Sequence, residues 1–251
     1  MEFRNPQSVP AKRNRTSAII SIVRTVGIIG GLGPETTSKF YLEVIFSCFE
    51  KDKLNRPPML IWNVPVPYAI EEKFITESVG MEKYLPFLVD AAKRLEKGGA
   101  DFIVIPCNSV HLLINEVRNA VNIPVLSIID ETVAYLKQKM IANVGLLATS
   151  ATIRDKLYEN ALRIDGISVI KPDNADQSQM GEIINNLVHS RKDDIDKEKL
   201  LSITQNLANK NTNTILLACT DLQLITPKIP NVEIYDTMQI LAQATVREVL
   251  K

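Results

Sequence analysis

FIVIPCNSVH (residues 102–111) runs an apolar, strand-forming stretch straight into Pro106, Cys107, Asn108 and Ser109, after which a helical pattern begins. A near-echo, ILLACTDL (residues 215–222), ends a second apolar run at Cys219, followed by Thr220 and Asp221. The chain makes one device twice: a strand, a cysteine, short polar side chains and a helix start. Strands buried on both faces read as continuous apolar runs, so both stretches belong inside parallel sheets.

Working outward, strand and helix patterns alternate from residue 25. VGIIGGLGPETTSKFY, from Val26, lines up with VGLLATSATIRDKLY, from Val144. The first half predicts a strand at 26–29 and a turn through Gly30, Gly31 and Gly33. A helix at 35–50 follows, with Pro34 suited to its first turn. A second strand falls at 58–64, and residues 65–80 read as a long loop holding at most one helical turn. An amphipathic helix at 81–97 is stopped by Gly98 and Gly99. Strand 102–106, helix 108–121 and strand 124–128 complete this half, leading to Asp130 and a further helix. The second half predicts a strand beginning at Val144, strands at 167–171 and 214–218, helices at 176–189 and 194–209, and a proline-led strand closing on Asp236 and Thr237. The expected fold class is α/β: two similar three-layer halves with mainly parallel four-stranded sheets, related by pseudo-twofold symmetry. In such sheets ligands bind beyond the carboxyl ends of the strands, where both cysteines fall, so the cleft between the halves is the expected site. The expected division is an atypical, disordered N-terminal extension over 1–24, a first domain over 25–127 plus the C-terminal helix 237–251, and a second over 128–236.

The 251 residues are 45% hydrophobic, enough for a sizeable core. Lys+Arg and Asp+Glu both number 29, so no net field gathers nucleic acid, membrane or an acidic partner, and small-molecule work is expected. Three cysteines make no disulfide framework, and no apolar run of about 18 residues occurs, which together predict a cytoplasmic chain. Two histidines without paired-ligand spacing predict no metal. The turn after the first strand lacks the third glycine of a dinucleotide fingerprint, having Thr36 there, and the second strand ends at Asn63 and Val64 with no acidic residue.

A cysteine between strand and helix sits at the positive end of the helix dipole, which favours its thiolate. Free N–H groups there, with Asn108, Ser109 and Thr220, suit a carboxylate. Two thiols facing each other across a ligand provide a base and an acid on opposite faces of one carbon, which is what inversion of a stereocentre needs. His111, one helical turn from Cys107, either orients the site or packs. Cys48 reads as a packed core residue on the first helix.

Together GIIGGLGPETT, IPCNSVH and LACTDL, in that order, resemble the aspartate/glutamate racemase family over residues 25–251. The resemblance implies a cofactor-independent, two-base amino-acid racemase acting on aspartate, glutamate or both, and a homodimer. It implies that Cys107 and Cys219 are the catalytic pair. Substrate binding falls to Gly31, Leu32, Asn108, Ser109, Thr149, Thr220 and Asp221, with His111 supporting. Ser109 stands where the family usually has threonine, and Asp221 where it usually has glutamate. The loop after the second strand lacks the arginine that relatives set against a side-chain carboxylate. The nearest cation there is Lys73, and His189, Arg191 or Lys192 could serve a second position. The rival readings are a hydantoin racemase, isomerase or decarboxylase of the same superfamily, and a non-catalytic amino-acid binding protein.

Overall fold

A computed structural model describes residues 23–191 and 193–251. In chain order the first half comprises β1 (Val26–Gly30), α1 (Pro34–Lys51), β2 (Met59–Asn63), α2 (Tyr68–Glu77), α3 (Leu85–Lys97), β3 (Phe102–Val104), α4 (Ile114–Asn119) and α5 (Ile128–Gln138). The second comprises β4 (Asn143–Leu147), α6 (Ser150–Arg154), α7 (Leu157–Ile164), β5 (Ser168–Ile170), α8 (Asn174–Val188), α9 (Asp194–Ala208), β6 (Thr214–Leu217), β7 (Glu233–Asp236) and α10 (Thr237–Val249). Short 3₁₀ turns over Met81–Tyr84, Ser109–Leu113 and Thr220–Ile225 lead out of the loops.

All strand pairings are parallel, in the orders β2-β1-β3 and β5-β4-β6-β7. The internal echo thus becomes the same topology twice, with one difference. The expected strand at 124–128 is reduced to a bridge between Val125 and Ile103, because Ser127 already turns the chain into α5. Its Oγ accepts from the N–H groups of Ile129 and Asp130, the usual N-cap arrangement. Asp236 performs the same capping for α10, its side chain accepting from Met238 N–H, so Ser127 and Asp236 correspond in role.

The two sheets share one core. Val26, Ile28 and Phe102 from the first sheet, Val144, Leu146 and Leu216 from the second, and residues of α1, α5, α7 and α10 form a single buried cluster. Cys48 lies in it, 1% exposed, as a packed thiol. Outside this shared layer, α3 covers the first sheet and α8 and α9 the second. The C-terminal helix α10 packs on both α1 and α5.

Four expectations need correction. Residues 1–22 of the expected extension lie outside the described residues, but Arg24 belongs to the fold. Its N–H donates to Val249 O at 3.0 Å, and its guanidinium pairs with Glu248 and lies 5.2 Å from the Phe102 ring centroid. The stretch 65–80 holds a ten-residue helix, α2, whose N-cap is Pro67. A proline loses nothing there, because the first N–H groups of a helix have no intrahelical partner. The expected helix 108–121 is divided: Leu113, with φ −110° and ψ 15°, separates the 3₁₀ turn from α4. Met81–Tyr84 is likewise a 3₁₀ turn ahead of α3.

The β1–α1 turn shows why glycine is required. Gly31 has φ +84°, and a Cβ on it would lie 2.5 Å from Asn63 Oδ1. Its N–H donates to Thr37 Oγ1 at 3.0 Å, which ties the turn to the first turn of α1.

Candidate active site

Cys107 lies just past β3 and Cys219 just past β6, and both open into one cavity enclosing about 530 Å³ of empty space, its mouth included. The same local geometry surrounds each sulfur. The N–H groups of Ser109 and Val110 point at Cys107, and those of Asp221 and Leu222 at Cys219. In each case the donors are two and three residues on, where the chain tightens into a 3₁₀ turn.

These donors favour thiolate, but burial outweighs them. Removal from water pushes Cys107 up to about 12, and Asp221 and Glu71 add to the rise. Cys219, 6% exposed, is raised well above the ordinary thiol value by burial, then by Asp221 and by Cys107 itself. The sequence expectation of a favoured thiolate is therefore corrected. The turns after the cysteines are too short to offset the desolvation of an anion.

Polar side chains knit the two halves together around the cavity. Ser109 and Thr149, both lining it, are hydrogen-bonded through their hydroxyls at 3.0 Å, and Thr152 completes the cluster. Thr149 also caps α6, its Oγ1 accepting from Thr152 N–H. Thr220 lines the cavity and donates toward Pro106 O at 3.4 Å. Asn108 Nδ2 donates to Thr237 Oγ1 at 3.1 Å, and its Oδ1 accepts from Tyr158 Oη at 2.5 Å. One amide N–H of Asn108 thus stays uncommitted at the cavity wall. Tyr158→Phe is expected to leave Asn108 Oδ1 buried without that donor and to cost about 1–3 kcal/mol of stability, read from the midpoint of denaturant unfolding.

Asp221 is buried in the wall beside Gly33. Its Oδ1 accepts from Thr36 Oγ1 at 2.7 Å, and Cys219 Sγ donates to Oδ2 at 3.9 Å. A Cβ on Gly33 would lie 3.0 Å from Oδ1, so the glycine makes room for this carboxyl. Burial raises the acid, opposed by the Thr36 hydrogen bond.

Of the residues expected at the site, Cys107, Cys219, Leu32, Asn108, Ser109, Thr149, Thr220 and Asp221 line the cavity. Gly31 stands behind it, shaping the turn. His111 is 2% exposed and also lies behind it. Its Nε2 accepts from Ile128 N–H at 3.0 Å, so Nδ1 carries the proton and donates to Cys107 O at 2.8 Å. The ring ties the Cys107 turn to the start of α5. Burial lowers His111 from 6.5 to about 4, so the folded state keeps it neutral while the unfolded chain takes up a proton below 6.5. Its stabilising contribution is complete above that pH and is lost as pH falls toward 4, amounting to roughly 3 kcal/mol. Denaturant unfolding at pH 7 and pH 5 is expected to show about half of this loss in the wild type and a smaller one in His111→Gln.

Sequence reasoning missed one whole wall. Glu71, Phe74 and Ile75 reach the cavity from α2, Tyr84 from the turn before α3, and Ile184 and Val188 from α8. Spacing i, i+3, i+4 over 71, 74 and 75 was the available signal, hidden by the prolines before it. Lys73, on another face of α2, is exposed and 3.8 Å from Glu77. His189 is exposed, its Nδ1 donating to Asn185 O, and Arg191 is exposed. Lys192 lies outside the described residues. Among the described residues no group of three or more His, Cys, Asp and Glu side chains is placed to hold a metal ion.

The sequence matches the Asp/Glu/Hydantoin racemase family over residues 29–245. It is 29% identical to the broad specificity amino-acid racemase RacX of Bacillus subtilis over 229 residues, 88% of this chain and 96% of that one. Among solved structures, aspartate racemase of Picrophilus torridus superposes with TM-score 0.76 at 26% identity, covering 91% of this chain and 95% of that one. An aspartate racemase homologue of Pyrococcus horikoshii gives TM-score 0.71 at 25% identity, covering 91% and 100%.

Proposed function

The chain belongs to the Asp/Glu/hydantoin racemase family, and from that premise we propose that its cavity inverts the α-carbon of a free amino acid without a cofactor. Cys107 and Cys219 are the two bases. The observation that carries this reading is the matched N–H cradle around two sulfurs that open into one cavity.

One sulfur acts as thiolate and removes the α-proton, and the opposite thiol gives its proton to the other face of the carbon. The first cysteine ends as thiol and the second as thiolate, so proton and charge balance, and the reverse enantiomer uses the pair in the opposite order. The substrate carboxylate takes hydrogen bonds from Ser109, Thr149 and the free amide N–H of Asn108, which stabilise the charge that spreads onto it as the α-proton leaves. Asp221 accepts from Cys219 and holds that thiol protonated until it is called on.

Aspartate and glutamate are the substrates carried by the names of several relatives, whereas RacX is named for broad specificity. The test is incubation of the reduced protein with single L-amino acids, aspartate and glutamate among them, in buffer without added pyridoxal phosphate, followed by chiral chromatography. Appearance of the D-isomer supports the reading, and absence of inversion with every amino acid overturns it.

Two further features fit this reading. Leu42, Phe46 and Phe49 form an exposed apolar strip on α1, the kind of surface a homodimer covers. The described residues contain free cysteines only, and a catalytic pair of thiols needs a reducing compartment such as the cytoplasm. No helix among the described residues is long and apolar enough to cross a membrane.

A further inference from the structure

The wall opposite the polar turns carries a charge that the proton transfers do not use. Glu71 lies on the cavity face of α2 with Phe74 and Ile75. It is half-buried, and among the described residues its carboxylate makes no hydrogen bond or ion pair. Burial disfavours its charged form, and the nearby Asp221 adds to the effect, with His189 opposing from the exposed end of α8. A half-desolvated carboxylate without a partner is costly unless something that enters the cavity pairs with it.

The remaining lining decides what that something is. Among the described residues no lysine or arginine lines the cavity, while Glu71 and Asp221 both do. A second carboxylate on the substrate would meet two acids and no described lysine or arginine in the lining. A side chain ending in ammonium or guanidinium would meet Glu71, and its methylene stem would run over Phe74, Ile75 and Val188, the way long cationic side chains bury their stems on apolar surface.

We infer that the cavity selects amino acids with cationic side chains, of the lysine, ornithine and arginine class, with Glu71 pairing with the distal charge. The inference rests on the amino-acid racemase reading for the placement of the α-carbon between the thiols. Glu71 acts at the far end of the substrate and takes no part in proton transfer.

Binding separates this inference from the reaction. Isothermal titration of the wild-type protein with L-lysine, L-ornithine, L-glutamate and L-methionine is expected to rank the two cationic amino acids at least about tenfold tighter than glutamate. Glu71→Gln is expected to weaken lysine about tenfold more than methionine, and Glu71→Lys to move the preference toward glutamate. Circular dichroism checks that both variants fold. Lysine binding no tighter than glutamate, or a Glu71→Gln protein that weakens lysine and methionine alike, would overturn the inference even if the protein racemises. Selective lysine binding without inversion of any amino acid would leave the inference standing and overturn the racemase reading.

Discussion

Serine at either Cys107 or Cys219 is expected to lower racemisation by about 10²–10⁴-fold, the range for losing a positioned proton-transfer group. The change keeps size and a hydrogen-bonding proton, so the two 3₁₀ turns and their N–H cradles are retained. What it removes is a group able to hold the anion in this site, since burial already makes the thiolates costly and an alkoxide costs more. Each variant keeps the base for one enantiomer. With no donor on the far face, the carbanion is returned by the thiol that made it, after that thiol has exchanged with solvent. Cys107→Ser and Cys219→Ser are therefore expected to exchange the α-proton of opposite enantiomers slowly, and faster than they invert it. Steady-state polarimetry measures the loss, and proton NMR in deuterated water follows the residual exchange. Normal turnover by either variant would sink the two-thiol mechanism.

The pH profile follows from the same burial. In the proposed two-thiol mechanism the active free enzyme has one thiolate and one thiol. Cys107 is raised to about 12 and Cys219 well above its ordinary value, so at neutral pH both are protonated in nearly every molecule. Below a raised pKa the fraction in base form grows tenfold per pH unit. The opposite thiol, also raised by burial, stays protonated throughout. We expect kcat/KM to rise about tenfold per unit from pH 6 to pH 8, with no descending limb from the second thiol in that range. A profile flat over that interval would mean that a thiolate is already formed at neutral pH. It would also mean that the N–H groups of Ser109 and Val110, or of Asp221 and Leu222, outweigh desolvation after all.

Local signals made most of this architecture legible. The runs at Val26, Phe102, Val144 and Ile215 are continuous and apolar because parallel strands are covered on both faces, and each ends where small or polar residues turn the chain. The echo between Cys107 and Cys219 anticipated not only two similar sheets but two sulfurs with N–H groups at the same offsets. Features decided by distant contacts were not legible. The sequence suggested helix dipoles that lower the thiols, but burial raises them, and burial depends on α2 and α8 closing over the turns. Pro65 and Pro67 read as loop, although Pro67 is where α2 begins, and that misreading hid Glu71. Lys73, the nearest cation in that stretch, lies two positions on and on another face. His111 could be placed one turn from Cys107, but its partner, the N–H of Ile128, lies seventeen residues on and was invisible locally. Val125 shows the opposite case, in which a good local strand signal shrinks to one bridge because Ser127 caps the next helix first.

The central claim is that two different thiols act on opposite faces of one α-carbon. Its most direct test starts from a single enantiomer of an amino acid that the protein inverts, in deuterated water, and reads the label in both enantiomers early in the reaction. The two-thiol account predicts deuterium at the α-carbon of the newly formed enantiomer, delivered by the solvent-equilibrated second cysteine, while the recovered starting enantiomer keeps its proton. A product that carries the original proton, or deuterium entering both enantiomers at equal rates, would contradict it.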